Sequence, residues 1–271
     1  MSQPAFVEKT VSRLTQRRPV RFQINALTKQ GRKQLQQVLT EFFEKENLNK
    51  LHVLAIHYAI VEVVFNALKA NLKFVAFREE IKKHLHRFKI TEIEDLLQVI
   101  VEERTLREFA ATRIVPDVLK KQVQKIFDLE EKYRTGMGQK LSDDQVELLK
   151  RFRLLIRAID ADVKLEIVND GDDIRIAVTN KVPMLQRDLE RIDQSRHRHA
   201  ELYREGRAGD FFSYDNMDTT ESAGFGIAMV DQGFYKLNLD PFKQMRIETR
   251  NRETLVTLVY PRQALLLPAI R

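Results

Sequence analysis

The feature that most constrains this chain is the run from Leu51 to Phe77, apolar along most of its length yet interrupted by Glu62, Asn66, Lys69, Asn71 and Lys73. Its apolar residues recur at helical spacing, so it reads as one long, largely buried helix. Its polar load argues against a membrane span. On a helix, residues i and i+4 share a face, so Glu62, Asn66 and Lys69 form one polar stripe that Tyr58 continues. A buried carboxylate without a partner is costly, so the stripe requires protein partners or a ligand. The side chains of Glu62 and Asn66 are therefore expected to face a cleft. The competing expectation is a polar network between helices.

The 271-residue sequence as a whole is of ordinary globular composition, 43% hydrophobic and 31% charged. Cysteine is absent, which excludes disulfides, thiol catalysis and cysteine-based metal sites and fits a reducing cytoplasm. The N-terminal stretch lacks an apolar segment of signal-peptide length. A net charge of +7 raises nucleic acid as a partner, with "KKHLHRFK" (Lys82 to Lys89) as the densest basic run. Acidic residues follow it at once, so a solvated helix face is the favoured reading and nucleic acid the less favoured one.

Along the chain, "VRFQINA" (Val20 to Ala26) alternates as a strand, and a helix follows with Leu35, Val38, Leu39 and Phe42 inward. From Arg78 to about Ala161 only helical patterns occur, with Pro116 suited to a first helical turn and Ser142–Gln145 at capping-box spacing. Two strands, "VKLEIV" and "IRIAVTN", then flank the turn "NDGDD". A polar helical stretch containing "RHRH" (Arg196 to His199) reads as solvated, because His197 and His199 diverge on a helix and no carboxylate completes a metal site. An irregular segment leads to "ESAGFGIAMV", read as a loop whose Gly224 and Gly226 open onto a helix. A hairpin turning at Asn251 and Arg252 completes the pattern.

Two of these elements carry chemistry. A carboxylate and an amide one turn apart suit a magnesium-phosphate site, since an amide oxygen is a hard ligand and Mg²⁺ retains several waters. The carboxylate can then activate a nucleophile. A glycine-bearing loop at a helix N-terminus lets backbone N–H groups approach phosphates, although an ordinary loop-to-helix junction explains the glycines equally well.

Taken together, "EVVFNALKAN", "IRIAVTNKVP" and "GDFF" with "TTESAGFGIAMV" resemble the N-box, first glycine box, and lid with second glycine box of the histidine-kinase-like (GHKL) ATPases. The opening "RPVRFQINA" is most similar to the anti-sigma-factor kinases. The resemblance implies an α+β fold, a two-layer α/β sandwich over residues 18–77 and 162–262, with 78–161 as an inserted helical subdomain. It implies ATP and Mg²⁺ as cofactors, in a cytoplasmic signal-transduction protein with or without kinase activity toward a partner. Glu62 takes the general-base position, Asn66 the magnesium position and Lys69 a phosphate-facing position. Thr179 and Asn180 take the adenine end, and Ser222, Gly224 and Gly226 the phosphate loop.

The sequence departs from that pattern in three ways. Asn180 stands where the family has an aspartate, and Val182 where it has a glycine. The helical insertion is extra and is a natural docking surface for a protein partner. None of the six histidines is followed by an acidic residue, so autophosphorylation is not expected. The amide of Asn180 can still accept a hydrogen bond from adenine, and Asn180→Asp is expected to tighten adenine nucleotides by restoring the charge. The alternative reading is a degenerate member that keeps the fold and acts as a protein-interaction regulator without turnover.

Overall fold

A computed structural model describes residues 3–87, 125–126, 128–129, 132–133, 141–158, 162–182, 184, 186–212, 223–250 and 253–266. In order, its elements are α1 (Gln3–Thr15), β1 (Val20–Ile24), α2 (Lys29–Lys45), a 3-10 turn (Lys50–His52), α3 (Val53–Arg87), α4 (Asp143–Ala158), β2 (Val163–Asn169) and β3 (Asp173–Asn180). There follow α5 (Gln186–Arg204), a second 3-10 turn (Ala208–Phe212), α6 (Ala223–Lys236), α7 (Pro241–Gln244), β4 (Met245–Arg250), β5 (Glu253–Pro261) and α8 (Arg262–Leu266). The fold is α+β, built on one five-stranded antiparallel sheet of order β1-β2-β3-β5-β4.

The two faces of the sheet differ because strand side chains alternate. Val163, Leu165, Ile167, Ile174, Ile176, Val178, Val256, Leu258 and Tyr260 are buried and join one core with α1, α2, α3 and α6. Arg21, Lys164, Arg175 and Arg246 lie on the other face and are exposed.

Local chemistry sets the boundaries. The Thr28 hydroxyl accepts from Gly31 N–H at 2.8 Å and starts α2, whose buried residues are Val38, Leu39, Phe42 and Phe43. Before α4, Ser142 and Gln145 exchange reciprocal bonds, Ser142 N–H to Gln145 Oε1 at 3.0 Å and Gln145 N–H to Ser142 Oγ at 3.3 Å. In the β2–β3 turn, Asp170 Oδ1 accepts from the N–H groups of Asp172 and Asp173. Gly171 there has φ +102°, and the Arg17 guanidinium covers it so closely that a Cβ would fall 2.8 Å from Arg17 Cζ.

The structure adds to the sequence reading at several points. The N-terminal stretch forms a full helix, α1, whose Val7, Val11 and Leu14 are buried. The proposed boundary between residues 77 and 78 falls inside α3, which continues to Arg87. Leu72 and Val75 on α3, together with Leu149 on α4, are buried outside the main core. Most of the proposed insertion, including Pro116, lies outside the described residues; its described helical residues are the end of α3 to Arg87, residues 125–126, 128–129 and 132–133, and α4.

The "RHRH" stretch is not simply solvated. Arg196 is buried and forms a bidentate pair with Asp231 on α6, with Nε to Oδ2 at 2.9 Å and Nη2 to Oδ1 at 3.0 Å. Its Nη2 also donates to the Pro241 carbonyl at 2.9 Å. One ion pair thus ties α5 to α6 and α7. His199, one turn on, is fully buried against Phe211, Phe212 and Tyr235.

The segment Lys50–Leu72 has the length and hydropathy to cross a membrane. Its apolar line, Val53, Ile56, Ile60, Val63 and Val64, is buried in the core that α3 shares with β2 and β3.

Candidate functional site

The stripe forms as its spacing requires. Glu62, Asn66 and Lys69 are all half-buried on one side of α3, while Val63 and Val64 turn inward. Asn66 Nδ2 donates to Glu62 Oε1 at 3.1 Å. That bond spends an amide donor on the carboxylate and directs the hard oxygen, Oδ1, away from it. Lys69 Nζ lies over the Phe65 ring at 4.8 Å, close enough for its charge to act on Glu62. Burial pushes the Glu62 carboxyl above its ordinary range, and the Asn66 hydrogen bond and the Lys69 charge offset this in part. The Tyr58 phenol, next along the stripe, is raised by burial and then by the Glu62 charge.

The second element meets the first. Gly226 is buried in the opening turn of α6, and a Cβ built on it would overlap the Glu62 carboxyl group and lie 2.9 Å from Glu62 Cγ. One heptad on, a Cβ built on Gly233 would lie 3.8 Å from Ala55 Cβ. As the α6 numbers rise the α3 numbers fall, so the two helices pack antiparallel, with the tighter contact at Gly226. The expected loop over Gly224 and Gly226 is instead helical, since α6 begins at Ala223. Both glycines therefore belong to the turn whose N–H groups have no partner within the helix. Close packing on Glu62 is sufficient to account for Gly226 by itself. Ser222 lies outside the described residues.

The strand end divides into two. Asn180 is on the core face and only 3% exposed, whereas Thr179 is on the opposite face with Arg175 and Ala177. Strand alternation separates these neighbours, so Thr179 does not join the Asn180 side of the sheet. Asn180 Nδ2 donates to Asn71 Oδ1 on α3 at 3.2 Å and to the Val182 carbonyl at 3.1 Å. The same carbonyl accepts from Thr254 Oγ1 at 2.9 Å. Both amide hydrogens are thus committed to protein, and Oδ1 is the group left to accept. Asn71, read from sequence only as part of the polar load, is a full member of this arrangement and is 1% exposed.

Among the described residues no group of three or more His, Cys, Asp or Glu side chains converges as a metal site. A divalent ion here would rest on an oxygen such as Asn66 Oδ1 together with oxygens from a ligand. Comparison with protein families, curated proteins and solved structures finds no match to this chain.

Proposed function

We propose that this chain is a nucleotide-binding signalling protein of the histidine-kinase-like ATPase kind, holding an adenine nucleotide with Mg²⁺ beside the Glu62–Asn66–Lys69 stripe. The observation that carries the reading is the meeting of Glu62 with Gly226. Two motifs far apart in sequence, each of residue types suited to phosphate chemistry, touch across α3 and the first turn of α6. Further support comes from element order: β1, α2, α3, the β2–β3 hairpin, α6 and the β4–β5 hairpin follow as the resemblance implies.

In this reading each residue has a distinct role. Asn66 holds the metal through Oδ1, a hard oxygen suited to Mg²⁺. Bound Mg²⁺ supplies charge neutralisation on the phosphates. Lys69 and the opening N–H groups of α6 carry the remaining phosphate charge. Glu62, raised by burial, is a base working closer to neutrality than a solvated carboxylate, and would take the proton of an attacking hydroxyl on a partner protein. Asn180 accepts from the adenine amine.

The second reading is a cytoplasmic regulator that keeps the fold without turnover, with a partner docking on the helices beyond α3. The commitment of the Asn180 amide to Asn71 and Val182 favours it, because an aspartate cannot make those bonds.

Thermal melting separates nucleotide binding from its absence. Mg-ATP at ~100 times its dissociation constant stabilises the native state by about 2.7 kcal/mol. A rise in melting temperature with Mg-ATP, larger than with Mg-GTP, is expected. No rise at millimolar Mg-ATP overturns the nucleotide reading.

A further inference from the structure

The sheet has two edges, and they differ. The β4 edge mixes Arg246 with Glu248. The β1 edge borders a groove of about 320 Å³ formed with α1 and lined by residues including Phe6, Lys9, Arg13, Val20, Arg21 and Phe22. β1 is the terminal strand, and among the described residues no strand pairs with its outer side. In an antiparallel strand every second residue turns its N–H and C=O outward, so this edge offers a ladder to an added chain.

The chemistry of the groove has two parts. Its floor is apolar, with Phe6 on α1 and Phe22 on β1 at 6.0 Å between ring centroids. Its rim is basic, since the charged residues that line it are the cations Lys9, Arg13 and Arg21, with no acid among the described lining residues. Arg21 is paired to Glu166 at 2.9 Å, and Arg13 Nη2 donates to the Pro19 carbonyl at 3.1 Å, a pose that holds the guanidinium beside the start of β1.

We propose that the groove between α1 and the free edge of β1 is a docking site for an extended acidic segment of another protein, which adds to the sheet as a sixth strand. A strand edge with a helix alongside supplies main-chain hydrogen bonds for affinity and side-chain pockets for every second residue. Phe6, Phe22, Lys9 and Arg13 lie on the α1 side of the sheet and Arg21 on the other, so alternate side chains of an added strand meet the apolar floor and the α1 cations on one side and Arg21 on the other. Nucleic acid would use the charge but neither the strand edge nor the apolar floor. The site lies apart from the Glu62 stripe and stands whether or not the chain binds nucleotide.

The test is fluorescence polarisation of the full chain with a labelled peptide of four Glu-Val repeats. Controls are its Lys-Val counterpart, the same Glu-Val peptide N-methylated at alternate residues, and an oligothymidylate. The Glu-Val peptide is expected to bind, to weaken about tenfold or more on N-methylation and in the exposed variant Lys9→Glu, and to weaken with salt. Amide hydrogen exchange within β1 should slow when it binds, a readout independent of any variant. Absence of binding at millimolar protein overturns the proposal. So does equal binding of the N-methylated peptide, displacement by oligothymidylate, or self-association through β1 that excludes the peptide.

Discussion

Glu62 on α3 and Gly226 on α6 are in contact, and the contact requires that residue 226 carry no side chain. The two glycines of α6 that face α3 therefore differ in kind. Gly226→Ala drives a methyl group into the Glu62 carboxyl, while Gly233→Ala makes an ordinary contact with Ala55. Chemical denaturation should show Gly226→Ala destabilised by about 1–3 kcal/mol. Gly233→Ala should be neutral or stabilised by up to about 1 kcal/mol, the helix gain over glycine. In the double variant Glu62→Ala/Gly226→Ala most of the loss should return, because the obstacle is gone. Additive losses would show that Gly226 is needed for some other reason.

Burial gives the charged form of Glu62 a cost in stability. Its folded carboxyl is raised above the ordinary value of 4.5, so the folded form binds the proton more tightly than the unfolded chain. Its contribution is thus fullest below 4.5 and is lost as pH rises through the folded value. Glu62→Gln removes that cost and keeps an acceptor for Asn66. At pH 8 it should raise the melting temperature by roughly 2–4 °C, the shift that about 1 kcal/mol produces in a domain of this size. It should also abolish any phosphoryl transfer. A melting temperature that falls at pH 8 would mean that the charged carboxylate is stabilising where it stands.

His199 has the opposite dependence. Both ring nitrogens and the Oε1 of Gln232 are buried without a hydrogen bond among the described residues. Burial pushes the imidazole below its ordinary value of 6.5, against a smaller upward pull from Gln232. As pH falls through 6.5 the unfolded chain therefore gains a proton that the folded chain does not, and stability declines until the folded value is passed. His199→Phe keeps the aromatic packing and should flatten this slope in denaturant titrations between pH 7 and about pH 5. An unchanged slope would assign the loss to another group.

Asn180 is built in as an amide. Asn180→Asp replaces two donated hydrogens with a carboxylate oxygen facing the Val182 carbonyl, an acceptor that cannot reverse its role. Asn71 can turn its amide to donate; Val182 cannot. The substitution is therefore expected to destabilise by about 1–3 kcal/mol, measured by denaturant melting, rather than simply tighten adenine nucleotides. Wild-type stability in this variant would show that the new carboxyl group turns away from the Val182 carbonyl or takes up a proton to donate to it.

Much of this architecture is legible from local pattern. The alternation of Ile174, Ile176 and Val178 gives β3, the Ser142–Gln145 spacing gives a cap, and the i, i+4 rule gives the stripe on α3. The alternation that turns Asn180 inward also turns Thr179 outward. Val7, Val11 and Leu14 carry the spacing that marks α1. What is not legible depends on distant partners. Arg196 looks solvated in a polar sequence, and only Asp231, on another helix, accounts for its burial. Gly226 looks like a loop residue until Glu62 is seen against it.

The central claim, that Asn66 holds magnesium for a bound adenine nucleotide, is tested most directly by calorimetric titration of wild type and Asn66→Ala with ATP, with and without Mg²⁺. The account predicts that wild type binds Mg-ATP more tightly than metal-free ATP. It predicts that Asn66→Ala loses most of that difference while keeping its metal-free affinity. Wild type with no heat at millimolar Mg-ATP, or Asn66→Ala with an undiminished magnesium effect, would contradict it.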